Sequence, residues 1–193
     1  MSGPWIFYMI DTFSRFRLGQ FIPNKEGATI VAMLINAWIK MFGTPETLHS
    51  DQGEEFLNKE IEHLCDTMNI KYTFTASKTP NANGIMERNN FVTDLMLFKI
   101  MAADTNLKHN PDIALSWALA ASNSLENVGG RSPCHIVFGQ NPNIPTLQTV
   151  GPPGYEEVDP NSAIANHISA MHLAREEYVK AENDKVLRCL KKR

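Results

Sequence analysis

The first hydrophobic segment of the chain runs from Trp5 to Ile10 and is rich in aromatic and β-branched residues. Polar residues follow from Asp11 onward, a pattern typical of a strand that ends in a turn. A second run, Arg17 to Ile22, predicts a strand that pairs back with the first. Asp11 is therefore expected to be a turn residue, a position where aspartate is common.

Helical periodicity follows, interrupted by two short strand-like segments at Glu46–Ser50 and Ile70–Thr75. Asn24 is placed to cap a first helix that ends at Gly43, and Asn58 is placed to cap a second. The apolar faces predicted for these two helices consist of Ile30, Leu34, Trp38 and Met41, and of Ile61, Leu64, Cys65 and Met68.

A long helix is predicted from about Ala82 to Ala103. Its polar stripe of Asn83, Glu87, Asn90 and Asp94 is flanked by an apolar stripe of Phe91, Leu95, Phe98 and Ala102. We therefore expect Glu87 to border the buried face. The end of this helix, LMLFKIMAA, is apolar almost all the way around, which predicts a core helix or, alternatively, a subunit contact.

Pro111 opens a further helix that continues to Leu125, and a proline- and glycine-rich stretch follows it. The last helix carries Ile164, Ile168, Met171, Ala174 and Tyr178 on one face, so it must dock on the core, a twin chain or a downstream module. We predict three parts: a core at 1–140, a linker at 141–161 and an amphipathic helix with a basic end at 162–193.

Composition restricts the functional class. The 193 residues are 43% hydrophobic, enough for one α/β core with an appendage. Three widely separated cysteines predict neither a disulfide framework nor a zinc ribbon, and we expect an intracellular protein. No segment is long and apolar enough to predict a membrane span. The net charge of −3 means that DNA binding would depend on local basic patches.

Two acidic residues stand in matching polar surroundings, with 35 residues between them: Asp51 in LHSDQGEEF and Glu87 in TPNANGIMERNN. Carboxylate oxygens are the ligands that Mg²⁺ prefers, and paired carboxylates hold the metal in many phosphoryl-transfer sites. The alternative is structural, with Asp51 as a turn residue and Glu87 as a solvated helix charge.

The local strings favour the metal site. SDQGEEF and PNANGIMER resemble the strings that carry the second and third acids of retroviral and retrotransposon integrases, the D,D(35)E family of the ribonuclease H-like fold. The stretch NSLENVGGRSPCHIVFGQNPNIP resembles long-terminal-repeat elements of the Ty3/gypsy kind. The resemblance implies an α/β fold with a mixed sheet flanked by helices, plus the C-terminal helix.

The same resemblance implies a mechanism and partners. Asp51 and Glu87 would be catalytic ligands for Mg²⁺ or Mn²⁺, and DNA would be the substrate, with a homo-oligomer as a further partner. The residues expected to contact nucleic acid are Lys78, Asn83, Gly84 and Arg88. Arginine suits phosphate because its guanidinium makes paired hydrogen bonds.

Asp11 is not expected to be the first acid of the triad. The string MIDTFSRF resembles the family's second strand, whose aspartate is not a metal ligand, so the first strand and its acid should lie upstream of Met1. We therefore expect weak Mg²⁺ binding and no DNA trimming or joining by this chain alone. A non-catalytic, host-adapted module that binds nucleic acid or protein is the alternative, and a nuclease is a third.

Overall fold

The computed structural model describes residues 5–53, 56–74, 84–126, 128–142 and 163–190. The first half of the chain contains both strands and helices, and the described elements of the second half are helices. In chain order the elements are β1 (Trp5–Ile10), β2 (Arg17–Ile22), α1 (Gly27–Met33), a π-helical segment (Leu34–Ile39), α2 (Lys40–Phe42), β3 (Thr47–Ser50), α3 (Lys59–Thr67), β4 (Lys71–Phe74), α4 (Gly84–Ala103), α5 (Thr105–His109), α6 (Pro111–Leu125), α7 (Pro133–Phe138) and α8 (Ala163–Leu190).

The chain divides into two compact units, which are described separately below. The first is drawn from Met1–Met9 and Leu18–Arg88, and the second from Ile10–Arg17 and Asn89–Arg193. β1 and β2 are hydrogen-bonded neighbours in a two-stranded sheet, as the sequence predicted.

The first unit contains two parallel strands connected through α3. β3 pairs with β4 in a register that runs from Thr47 opposite Lys71 to Ser50 opposite Phe74. The Asn58 side chain accepts hydrogen bonds from the backbone N–H groups of Glu60 and Ile61, at 3.1 and 3.0 Å, which confirms the predicted cap of α3. The buried core of this unit comprises Phe7, Met9, Ile22, Ile30, Leu34, Ile61, Leu64, Cys65 and Ile70.

The first helix begins later than predicted. Its N-cap is Glu26, without a side-chain cap, and Asn24 instead accepts hydrogen bonds from the Glu26 N–H at 3.1 Å and the Thr29 hydroxyl at 2.6 Å. Helix α1 starts at Gly27, where a Cβ atom would lie 2.5 Å from Oδ1 of Asn58. Glycine is favoured there because a side chain would displace Asn58 from its capping position.

The predicted apolar face of this helix is correct at three of its four residues, because Trp38 also packs against the core. Ile30 and Leu34 are buried, but Met41 is 59% exposed. The π-helical segment Leu34–Ile39 lies between them, and its wider turns rotate the following residues away from the α-helical pattern. Met41 therefore points away from the core, whereas a regular α-helix would have placed it there.

The second unit is a cluster of helices. α8 packs on α6, and both also contact α5. Both helices bury small residues, which permits close packing, and both also bury larger ones. Among the buried residues are Ala114, Leu115, Ala118, Leu119 and Ala121 of α6, and Ala170, Met171, Ala174 and Tyr178 of α8. Of the three docking partners considered for this helix, the structure selects the chain's own helices.

Polar contacts fix α8 at three further points. The Trp117 indole N–H donates to Nδ1 of His167 at 3.1 Å, and the Ser169 hydroxyl donates to the Asp104 carboxylate at 2.9 Å. Lys99 of α4 forms an ion pair with Glu177 at 2.7 Å. These two carboxylates and the histidine therefore have structural roles in holding the last helix.

The prediction for α4 was wrong about which face is buried. Thr93, Met96, Leu97 and Ile100 are at most 5% exposed, whereas Phe91 is 67% and Phe98 is 68% exposed. Glu87 is exposed as well and lies on the outer side of the helix, not at the border of the buried face. The helix has two apolar faces, and packing covers the one that the sequence pattern did not favour.

The predicted linker at 141–161 lies outside the described residues from position 143 onward, so the proposed division into three parts stays a prediction. Within the described part of the chain, every helix is too short or too polar to cross a membrane.

Candidate nucleic-acid and metal site

Asp51 is the first residue after β3 and is exposed. Its Oδ1 accepts a hydrogen bond from the Gly53 backbone N–H at 3.1 Å, a local bond that bends the chain away from the strand. The side chain that the sequence assigned to a metal therefore lies at the C-terminal end of a strand, as predicted, in contact with solvent.

A hydroxyl network supports the chain around Asp51. The Tyr72 hydroxyl of β4 donates to the Phe56 carbonyl at 2.9 Å and lies 3.0 Å from the Ser50 hydroxyl. Burial raises the pKa of Tyr72 above its usual value, and the hydrogen bond with Ser50 offsets part of that rise. The sequence analysis missed Tyr72 because alternation marked it only as a strand residue.

Glu87 lies in the first turn of α4, with its side chain exposed. A carboxylate in this position interacts favourably with the positive end of the helix dipole. The location therefore suits either a stabilising helix charge or a ligand for a cation, the two alternatives that the sequence left open. Asp51 and Glu87 both belong to the first unit.

The predicted DNA-contacting residues are only partly described. Lys78 and Asn83 lie outside the described residues. Arg88 is exposed on α4, and Gly84 is the first residue of that helix. No described atom lies within 4 Å of a Cβ built on Gly84, so no described neighbour requires glycine there.

Asp11 lies in the turn between β1 and β2, where the sequence predicted it. Its Oδ2 accepts hydrogen bonds from the Ser14 backbone N–H at 2.7 Å and from the Ser14 hydroxyl at 2.6 Å. The Ser14 oxygen in turn accepts from the Phe16 N–H at 3.1 Å. The carboxylate thus organises the turn, and these bonds account for an acidic residue at this position without a metal.

A buried cation next to this turn was not predicted. Arg17 is only 3% exposed; its guanidinium pairs with Glu126 and donates to the Asn89 side chain at 2.7 Å. The Asn123 side chain binds both the N–H and the carbonyl of Arg17, at 2.9 and 2.8 Å. Arg17 therefore connects the start of β2 to α4 and to the end of α6. The sequence feature that could have indicated this buried cation is an arginine within the apolar pattern of a strand.

The residue types at the two candidate positions suit a hard divalent cation, because carboxylate oxygens bind Mg²⁺ and Mn²⁺. In the part of the chain that the structure describes, no group of three or more histidine, cysteine, aspartate or glutamate side chains is arranged to hold a metal ion. The role of Asp51 and Glu87 as metal ligands therefore stays a prediction.

Comparison with known proteins supports the sequence-based resemblance. Residues 2–80 match the family model described as the integrase core domain, a segment that contains Asp51. The Gag-Pol polyprotein of baboon endogenous virus (strain M7) is 28% identical over 156 residues, which cover 80% of this chain and 9% of the polyprotein. The chain spans only 9–14% of the length of the first curated relatives.

Solved structures agree on the fold. The integrase catalytic core domain of HTLV-2, in complex with magnesium in a trimeric form, aligns with a TM-score of 0.59 at 24% identity, covering 69% of this chain and 84% of that one. An intasome of simian T-cell lymphotropic virus, in complex with a PP2A regulatory subunit, gives a TM-score of 0.61 at 23% identity over 78% of this chain and 53% of that one.

The solved structures establish the fold, and the family model and the polyproteins establish a similarity in sequence. The chain resembles the integrase core domain over residues 2–80, and it has an α/β fold of the ribonuclease H-like type, like that of integrase catalytic cores.

Proposed function

We propose that this chain is a DNA-binding core module of DNA integration that works in the nucleus and is inactive by itself. Asp51 and Glu87 are the metal-binding carboxylates, and Arg88, Gly84, Asn83 and Lys78 contact the DNA. The observation that carries the proposal is the position of Asp51: within the segment that matches integrase cores, it extends into solvent from the end of β3.

The expected inactivity follows from the ligand count. When bound, Mg²⁺ or Mn²⁺ would supply the charge that activates water and stabilises the leaving oxygen. Two exposed carboxylates bind such an ion weakly, and the Asp11 carboxylate, the other acid that follows a strand in a similar way, is bonded to Ser14. The chain's own contribution is therefore to bind and position DNA.

Strand-transfer and end-trimming assays with purified residues 1–193, in Mg²⁺ and in Mn²⁺, test this proposal. We expect neither product. Robust joining that Asp11→Asn abolishes would show that Asp11 is a catalytic ligand and that its assignment to the turn alone is wrong. Products separated by length also distinguish joining from simple cleavage, which a nuclease of the same fold would give.

Metal binding has a readout that needs no activity. Mn²⁺ broadens the NMR signals of nearby amide protons, so we expect weak broadening centred on residues near Asp51 and Glu87. Asp51→Asn combined with Glu87→Gln should remove this broadening, and Asp66→Asn, which changes an exposed acid of α3, should not. Broadening that persists in the double variant would exclude these two carboxylates as the ligands.

A non-catalytic module that binds nucleic acid or protein is the second candidate. It is supported by the finding that, among the described residues, no group of three or more histidine, cysteine, aspartate or glutamate side chains is arranged to hold a metal ion. If DNA binding is unchanged by the double variant and by chelation of divalent metal, the fold serves binding alone. A metal-dependent gain in affinity for DNA would favour the integration module.

A further inference from the structure

The two ends of the loop that carries Asp51 meet at one side chain, that of Tyr72 in β4. We call residues 51–56 the Asp51 loop. Just before the loop, the Ser50 hydroxyl lies 3.0 Å from the Tyr72 oxygen. At the end of the loop, the Phe56 carbonyl accepts a hydrogen bond from the Tyr72 hydroxyl at 2.9 Å. A single group of β4 therefore closes the base of the loop.

These hydrogen bonds have a direction. A phenol hydroxyl carries one proton and can also accept a hydrogen bond. Because the Phe56 carbonyl can only accept, it takes the Tyr72 proton, and the Ser50 hydroxyl is then the donor in its contact with Tyr72. The Ser50 hydroxyl also donates to the Asp51 carbonyl at 3.0 Å, so its proton is shared between two acceptors. The chain of bonds runs from Ser50 through Tyr72 to Phe56, and a phenylalanine at position 72 would break it at both points.

Tyr72 is itself held by the core of the first unit. It pairs in register with Leu48 of β3, and both side chains pack against the buried core. The Phe56 ring packs against the same core, with its centroid 6.3 Å from that of Phe7. The Asp51 side chain, in contrast, is exposed. This carboxylate is thus carried by a loop whose backbone is anchored to the core through the Tyr72 hydroxyl.

We propose that Tyr72 is a positioning residue for Asp51, which holds the carboxylate where a divalent cation can bind it. The inference rests on the proposed function, in which Asp51 is a metal ligand, and adds the residue that determines where that ligand lies. A ligand that is fixed before the metal arrives loses less conformational freedom on binding, so the ion is bound more tightly. Removal of the Tyr72 hydroxyl should therefore weaken metal binding, although no metal ligand is changed.

Thr73 provides the matched control. It is the next residue of β4 and is half-buried like Tyr72, but successive side chains of a strand point to opposite faces. Its hydroxyl donates to the Leu48 carbonyl at 3.3 Å and lies 2.9 Å from Nδ1 of His49, and both of these contacts are with β3. Thr73→Val removes them. A general loosening of the β3–β4 pair would appear in this variant too, whereas a specific effect on Asp51 would appear only in Tyr72→Phe.

Titration of the full chain with Mn²⁺, followed through the broadening of amide signals near Asp51, tests the proposal. We expect Tyr72→Phe to raise the midpoint by about threefold or more, the size expected for the loss of one hydrogen bond. Thr73→Val should leave the midpoint unchanged. Ser50→Ala should raise it, and Ser50→Ala combined with Tyr72→Phe should have little further effect, because both act through the same chain of bonds. Circular dichroism checks that each variant folds.

A second measurement needs no metal. The Gly53 N–H donates to Oδ1 of Asp51 at 3.1 Å, so the exchange of this amide with water reports on the geometry of the loop. In metal-free protein, Tyr72→Phe should accelerate exchange of the Gly53 amide by about threefold or more, and Thr73→Val should not. The Ile61 amide, which donates to the Asn58 side chain at 3.0 Å, is the internal reference and should keep its rate in both variants.

The outcomes separate this inference from the function on which it rests. If the original protein shows no broadening near Asp51, the metal role proposed for that residue is wrong, and its positioning by Tyr72 is excluded with it. If broadening occurs but Tyr72→Phe leaves the midpoint unchanged, the metal role stands and the positioning role is wrong. Equal effects of Tyr72→Phe and Thr73→Val on the midpoint, or a raised midpoint without faster exchange at Gly53, would also exclude the positioning role.

Discussion

The turn after β1 and the loop after β3 both begin with an aspartate, yet the two side chains are used differently. One Asp11 oxygen accepts both a backbone and a hydroxyl hydrogen bond from Ser14, and Arg17 at the end of this turn is buried. Asp51 makes one local bond to Gly53 and is exposed. An acid after a strand is structural where two donors hold it in a half-buried position, and it is available for chemistry where a single local bond leaves it exposed.

The largest effect should come from the buried end of the first turn. Arg17→Met leaves Glu126 without its cation and breaks the link to Asn89, so we expect a loss of about 3–5 kcal/mol in the free energy of unfolding. Urea denaturation measures it. Glu126→Met on this background should recover part of the loss, because it removes the unpaired charge. A loss below about 1 kcal/mol would mean that the network contributes little.

Asp11→Ala should have the next largest effect. It removes the acceptor for both Ser14 donors, and hydrogen bonds to a charged group contribute about 1.5–3 kcal/mol. Thr12→Ala, at an exposed position of the same turn, is the control and should stay within about 0.5 kcal/mol of the original protein. Equal losses for the two variants would remove the structural distinction between Asp11 and Asp51.

The sequence could distinguish these two acids because each lies in an informative string. The turn contacts of both aspartates involve neighbouring residues, and these residues are contained in the strings SDQGEEF and MIDTFSRF. The Arg17 network could not be predicted in this way, since its partners lie 72 to 109 positions away in the chain. No short pattern specifies which distant helix a buried guanidinium will reach.

The helices show the same limit. α3 has one apolar stripe, so periodicity identified its buried side and its Asn58 cap. α4 has two apolar faces, and periodicity gives no means of choosing between them. The buried face contains Thr93, and a polar residue makes a face less favoured for burial. The π-helical segment before α2 changes the period itself, which misplaced Met41.

The hydroxyl network beside Asp51 should contribute less than the Asp11 turn. Tyr72→Phe removes the bond to Phe56, and we expect a loss of about 0.5–1.5 kcal/mol at neutral pH. Because burial raises the pKa of Tyr72 in the folded protein, its neutral form is favoured by folding. That stabilisation is complete below the ordinary tyrosine pKa of 10.0 and is lost as the pH rises through the folded value.

The stability difference between the original protein and Tyr72→Phe should therefore shrink above about pH 10. Thermal unfolding of the two proteins in parallel at pH 7 and at successive alkaline values measures this difference. A constant difference across the range would show that Tyr72 titrates alike in the folded and unfolded chains.

Asp51→Asn should have the smallest effect on stability, and this result would sharpen the contrast most. The amide oxygen of asparagine can accept the same Gly53 hydrogen bond, and the side chain is exposed, so the free energy of unfolding should change by less than about 0.5 kcal/mol. Asp11→Asn is the matched comparison: the weaker neutral acceptor replaces a charged one that binds two donors, and a measurable loss is expected. If Asp51→Asn were the more damaging of the two, the loop after β3 would depend on its aspartate for folding, and its exposure would no longer indicate a side chain available for a cation.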